Sequence, residues 1–515
     1  MSGHRYRLAE LAGWASGLTY ADLPERVIGW AKSQVLSQLA AVRAGLAHPT
    51  GAALTRAFGP PLGADAKQSA GALAALGSWL HYDDTAYAGH LSNSTVTVAL
   101  AYARQGGLDG RALITAVVAA NECAARVTAA STLGRFQGQL ATHTHLAGSV
   151  AARLHAESAP ARRWVDAFGL AFAYPPQPIG PGFMGNSKVL NTFVPVRMGL
   201  DACDAAAAGL AGVADILEHE DGLLARCAIV PLPEELTAGL ATRWHTETLS
   251  FKIRPSGPGG DAAVDCAAEL HGLLPPGFDA ADIAEVVVHS PWYTVLVDRR
   301  AQLELRRPEA PTAPLVLSIP YPVATALLTG GLAIDDFAAP AVRDGQRWAL
   351  AARVRVEHDP VLTRACFTGT APFGAALRRA GPRAVAWLRD YGRLGTGTDG
   401  QWFADLIGEP GQPEAGFADA SRTIGARVVV KLADGRSLER ARDIPVGAVG
   451  PDTRANHPAL VRRKFRGTGG SAAVADGVLA LEHASAAEVV RLVDAALAPS
   501  CSAPSCSAPF YEEGT

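Results

Sequence analysis

Apolar positions recur with helical spacing through the first half of the chain. In "DLPERVIGWAKSQVLSQLAAVRAGL" the residues Val27, Ile28, Ala31, Val35 and Leu36 fall on one face, and Asp22 stands where an N-cap is wanted. Two further stretches predict helices that are apolar nearly all round and so belong inside the fold. One is "STVTVALAYARQ", stopped by Gly106 and Gly107; the other is "GRALITAVVAANECAARV", with Asp109 as its cap. "THLAGSVAARLHAES" is rich in small residues that let helices approach closely. The prolines and glycines of "AYPPQPIGPGFMGNSK" predict a long irregular loop over 173–188, after which "VRMGLDACDAAAAGLAGVADIL" resumes helix.

The period changes near residue 250. "IAEVVVHSPWYTVLV", "RWALAARVRVEHD" and "ARVVVKLADGRSLERARDIP" carry β-branched, alternating runs, the last with Asp434-Gly435 as a two-residue hairpin turn. "PYPVATALLTGGL" and "HASAAEVVRLVDAAL" return to helix. The expectation is a mainly α protein with a smaller α+β unit: helices over 1–250, completed by 451–500, and an α+β unit over 251–450. Residues 362–420 fit neither pattern. The Ser/Cys/Ala/Pro repeat of 501–515 reads as a disordered tail.

The composition narrows the partners. A chain of 515 residues with 49% apolar content buries a large core, and a net charge of -3 without a basic block gives nucleic acid or a membrane surface nothing to hold. Seven scattered cysteines without a CxxC pair suit a reducing compartment. The charged start "MSGHRYRLAELAGWA" is unlike a signal peptide, and no uninterrupted apolar run reaches the roughly 18 residues of a span. The expected setting is the cytoplasm. Among 46 basic residues only Lys32, Lys67, Lys188, Lys252, Lys431 and Lys464 are lysine, so each lysine is a marked choice.

The densest chemistry is in "HYDDTAYAGHLSNSTV", residues 81 to 96. As a plain connection, Ser92 or Asn93 caps the next helix and Asp83 and Asp84 make a polar turn. As a site, the same loop offers His90, a general acid–base group suited to neutral pH, with His81, Asp84 and Thr85 beside it. His143 and His145 form an HxH pair; no complete set of metal ligands accompanies them, so one would face a pocket and the other the core. Lys188 closes the Pro/Gly loop and Lys252 sits where helical body meets α+β unit. Two cations in such a cleft would bind carboxylates and stabilise charge developing on them. Tyr321 lies at a helix start, where it either packs or donates a proton. No GxGxxG, P-loop or GxSxG spacing is present.

The order of "HYDDT…H", "THLAGSVAARL", "GNSKVLN", "SFKIRP", "IPYPVATALLTGG", "HDP", "VVVKLADGR" and "RRKF" resembles the MmgE/PrpD family, which contains 2-methylcitrate dehydratases, cis-aconitate decarboxylases and an iminodisuccinate epimerase. The likeness runs to about residue 467 and omits 362–420, which against the family pattern look like an insertion in the lid. It implies a helical domain with an inserted α+β lid, an active site in the cleft, no metal or organic cofactor, and a homodimer. It also implies a small carboxylated substrate and lyase chemistry, dehydration or decarboxylation. On the residues that match, it carries over His90 as acid–base group, Asp84 and Thr85 as its support, Lys188 and Lys252 as carboxylate-binding cations, and Tyr321 as a lid-side proton donor.

Several neighbours depart from the family pattern. His81 stands where an aspartate is usual, Asn191 and Gln139 where histidines are, Leu91 where proline is, and Pro255-Ser256-Gly257 replaces a further polar position. These changes point to a different substrate, in a specialised biosynthetic pathway, with His81, His143, His145 and Asn191 as candidate contacts. They also motivate two rivals: a metabolite-binding member that has lost its activity, and a metal-dependent hydrolase built on His81, Asp84, His90 and His143.

Overall fold

The computed structural model describes residues 6–87, 89–135, 139–305 and 312–498, apart from the side chains of 139, 140 and 183. Its fold is mainly α, with a small mixed sheet. The helices Glu25–Ala47, Ala66–Ser78, Ser92–Gly106, Gly110–Ser131, Gln139–Ala156 and Leu190–Ala207 pack into one large body. Gly110–Ser131 is long and apolar enough to span a membrane, and 94% of that apolar window is buried among other helices. It is a core helix.

Local signals explain many boundaries. Asp109 caps Gly110–Ser131 by accepting from Ala112 N, and Gly107 ends the preceding helix in the left-handed conformation at φ 70°. Asp22 does not cap Glu25–Ala47: it closes the turn Tyr20–Asp22 through Thr19, and Pro24 leads into the helix. The loop 173–188 holds a short helix, Gly180–Met184, and the turn Asn186–Val189. The following helix starts earlier than its apolar pattern, at Leu190, and accommodates Pro195.

A four-stranded sheet carries the second, smaller core. A two-residue pair, β1 (Asp84–Thr85) and β2 (Ser250–Phe251), lies in the cleft, and the sheet has β3 (Ile283–Ser290), β4 (Val354–His358), β5 (Ala426–Leu432) and β6 (Ser437–Arg442) in the order β4-β3-β5-β6. Only β3 and β4 are parallel. The helices Gly260–His271 and Pro320–Thr329 cover Val286, Val288, Val428 and Val430. Half of each mixed run proved helical: Trp292–Leu305 follows β3 and Gly345–Ala351 precedes β4. The β5–β6 hairpin is present, but its loop is longer than two residues, with Gly435 N donating to Leu432 O.

Residues 362–420 are short helices whose apolar side chains join the larger core, not the sheet's. Phe367, Phe373, Trp387, Tyr391 and Phe403 stack on one another there. Trp387 Nε1 donates to Gly134 O at 2.8 Å, and Arg379 pairs with the buried Glu235 at 2.7 Å. The C-terminal helices Pro451–Gly467 and Ala486–Leu497 bury Val461, Phe465, Val489 and Val493 in the same core. The tail expectation for 501–515 lies outside the described residues.

Phe367 is 1% exposed among four aromatic rings. Phe367→Ala should therefore cost about 3–5 kcal/mol, read by urea unfolding, with one shared transition for the whole chain. A separate early transition of 362–420 would mean that the segment is a detachable appendage.

Candidate active site

The pairing of β1 with β2 builds the site. Asp84 lies opposite Phe251 and Thr85 opposite Ser250 in antiparallel register. Lys252 N continues the ladder by donating to Asp83 O at 3.3 Å. Two residues 169 positions apart in the chain, Asp83 and Lys252, thus face each other across a two-rung ribbon.

Asp83 is the hub. It is 2% exposed; its Oδ2 accepts from His90 Nδ1 at 2.9 Å and from Asn93 Nδ2 at 2.5 Å, and its Oδ1 lies 3.8 Å from Lys252 Nζ. Burial pushes its pKa up, but His90 and Lys252 outweigh that and hold it well below the usual carboxylate range. An ionised carboxylate only accepts, so Nδ1 of His90 carries a proton, which leaves Nε2 as the ring nitrogen able to exchange a proton with a substrate. The carboxylate that holds His90 is Asp83, not Asp84.

Asp84 has a structural task. Its carboxylate accepts from Leu91 N at 3.0 Å, Ser92 N at 3.2 Å and Gln34 Nε2 at 2.8 Å. It tethers the start of Ser92–Gly106 to Glu25–Ala47. Burial and the neighbouring Asp83 raise its pKa. Sequence reasoning missed both Asp83 and Lys464. Lys464 is fully buried, donates to Ser37 Oγ at 2.8 Å and to Tyr82 O, and lies over the Tyr82 ring. The "RRKF" motif and the scarcity of lysine were its only signals.

The remaining candidates divide. Burial lowers the pKa of Lys188 to about 7, Asp83 opposing and Lys252 adding to the shift. His81 sits at a positive φ of 50°, its ring 6.4 Å from that of His90, and burial with Lys188 and Lys252 nearby keeps it neutral well below its ordinary range. His145 bonds Ser94 Oγ at 3.3 Å, and burial followed by the nearby His90 takes it to about 3. His143 lies edge-on to Phe172, burial lowers it to about 4, and neither ring nitrogen has a hydrogen-bond partner among the described residues. Asn191 Nδ2 is likewise buried without a partner. Tyr321 is not brought to the site: it packs with Phe337 and Trp348 in the sheet's core, its hydroxyl donating to Asp336 O at 2.6 Å. No group of three or more His, Cys, Asp or Glu side chains is gathered for a metal among the described residues, and the side chain of Gln139 lies outside them.

A cavity of about 720 Å³ opens beside this cluster. His81, Thr85, His90 and Lys252 line one end, with Asp261 and Arg422 next to them. The site therefore combines a carboxylate-oriented imidazole with buried cations at a cleft between two cores.

A mainly α body, a small mixed sheet and such a cleft define a class of two-part helical proteins. The chain belongs to the MmgE/PrpD family: the model of its N-terminal domain matches residues 9–234 and that of its C-terminal domain residues 255–390. That family includes dehydratases such as 2-methylcitrate dehydratase, so lyase-type chemistry is its general activity. No curated protein matches the chain.

Two measurements test this geometry. Asp84→Ala leaves buried donors of Leu91, Ser92 and Gln34 unpaired, so stability should fall by about 1–3 kcal/mol in urea titration; an unchanged midpoint would contradict the tether. Lys188 is charged below about pH 7 and neutral above it. Binding of succinate, measured by calorimetry, should weaken as pH rises through 7, and Lys188→Arg should carry binding to higher pH. A pH-independent affinity in the wild type would refute the role of that charge.

Proposed function

We propose that the protein is a cofactor-independent lyase that moves a proton at the carbon next to a carboxylate of its substrate. The observation that carries this is the Asp83–His90 pair lying beside Lys252 on the cavity wall. His90 Nε2 takes the proton from the carbon, and the electron pair passes into the adjacent carboxylate as an enolate-like dianion. Lys252, with Lys188 nearby, stabilises that charge. Asp83 fixes the tautomer and stabilises the imidazolium, as the acid does in catalytic triads. In dehydration the imidazolium returns its proton to the departing hydroxyl as water leaves. In decarboxylation no proton is abstracted first: carbon dioxide leaves its electron pair on carbon, and His90, entering that turnover as the imidazolium, protonates that carbon. Epimerisation would use the same anion, reprotonated on its other face.

Lysine rather than arginine at 188 and 252 favours catalysis over mere binding. An ammonium can lose its charge when buried, and burial lowers the pKa of Lys188 to about 7, whereas a guanidinium stays charged. The homodimer, the cytoplasmic setting and the role of Thr85 as a substrate contact belong to the same proposal, the first of these open to sedimentation.

Incubation in deuterated buffer with di- and tricarboxylic acids, followed by NMR and mass spectrometry, tests it. We expect deuterium uptake, water loss or carbon dioxide loss, reduced on the order of 10²–10⁴-fold in His90→Gln. Asp83→Asn should lower turnover comparably while Asp84→Asn retains most of it. A fully active His90→Gln variant would sink the assignment.

A further inference from the structure

The cavity is far larger than a four- to six-carbon acid fills. At about 720 Å³ it lies within the range of roughly 300–1,000 Å³ that takes a drug-sized ligand. Charged groups line it at the His90–Lys252 cluster with Asp261 and Arg422, and again at Arg135, Arg300 and Glu304; most of the remaining wall is apolar. The segment 362–420, whose first part the family's C-terminal model still matches, supplies much of that apolar wall through Pro372, Phe373 and Trp387. Tyr293 stands edge-on to Phe373 at 5.3 Å, and Ile179 and Leu303 line the cavity while 76% and 61% exposed. Exposed large apolar side chains at a cavity mouth are the mark of an apolar ligand's path.

Arg422 lines the cavity where the segment 362–420 adjoins it. It is buried, pairs with no carboxylate among the described residues, and donates to Ala86 O at 3.5 Å. A bridge between Ala371 and Arg422 sets it directly beside Pro372 and Phe373. Asp261 opposes its charge only from beyond ion-pair distance, so the buried guanidinium carries a desolvation cost that an incoming carboxylate would offset.

We infer that the substrate is a carboxylic acid bearing an extended apolar arm, its carboxylates held by Lys252 and Arg422 and its arm held against Phe373, Trp387 and Tyr293. This rests on the carboxylate reading above. The segment 362–420 is then the element that sets specificity, by walling in a chamber that a compact acid does not need.

Calorimetric titration of the wild-type protein with succinate and with benzylsuccinate at pH 6.5 tests it. Benzylsuccinate should bind at least tenfold tighter, equivalent to about 1.4 kcal/mol, and with a more negative heat-capacity change, because its ring leaves water. Both affinities should collapse in Lys252→Met, and Ile179→Asp, at an exposed position, should narrow the ratio between the two ligands. Equal affinities that still depend on Lys252 would overturn the apolar arm and leave the carboxylate reading standing. Affinities indifferent to Lys252, or no binding of either acid, would overturn both.

Discussion

The ionised carboxylate of Asp83, held away from water, is what the site depends on. Moving a carboxylate out of water costs several kcal/mol unless partners replace its hydration. Here His90, Asn93 and Lys252 supply them from three directions. The same contacts that make the buried charge tolerable also orient His90 and hold Lys252 at the cavity. Stability and chemistry share one set of atoms, so removing a partner harms both. Lys464, buried under the same loop, extends the positive surroundings without touching the cavity.

The loop keeps its shape because neighbouring residues divide the work. Asp83 faces the cleft, while Asp84 turns into the body and ties Leu91 and Ser92 to Gln34. The polar layer beneath, Gln34 with Asn121 and Gln38 with Ser92 and Asn93, satisfies each amide it buries. Such networks lock a unique arrangement when complete. The β1–β2 ribbon then fixes the distance between this loop and Lys252, and the sheet with its helices follows from that strand onward.

Much of this was visible along the chain. The all-apolar helices, the cap at Asp109, the change of period near 250, and the family motifs from "HYDDT" to "RRKF" are local patterns, and His90, Lys188 and Lys252 rest on them. What was misjudged depended on partners far off in sequence. Asp83 and Asp84 are chemically identical and adjacent, and only the strand pairing decides which one meets His90. Tyr321 has the right motif, yet its hydroxyl is turned to Asp336 within the sheet's core. Residues 362–420 have no clean period because their short helices are shaped by aromatic stacking and by anchors such as Trp387 to Gly134 and Arg379 to Glu235.

By itself the sequence determined the helical body, the strands of the smaller unit and the inventory of groups able to do acid–base chemistry. Those follow from periodicity, capping and side-chain type, which act within a few residues. Tertiary structure alone decided which carboxylate meets His90, which lysines surround it, and that 362–420 walls the cavity. Charge interactions and burial depend on distances in space, and two residues facing across a ribbon leave no trace in the 169 positions of chain between them.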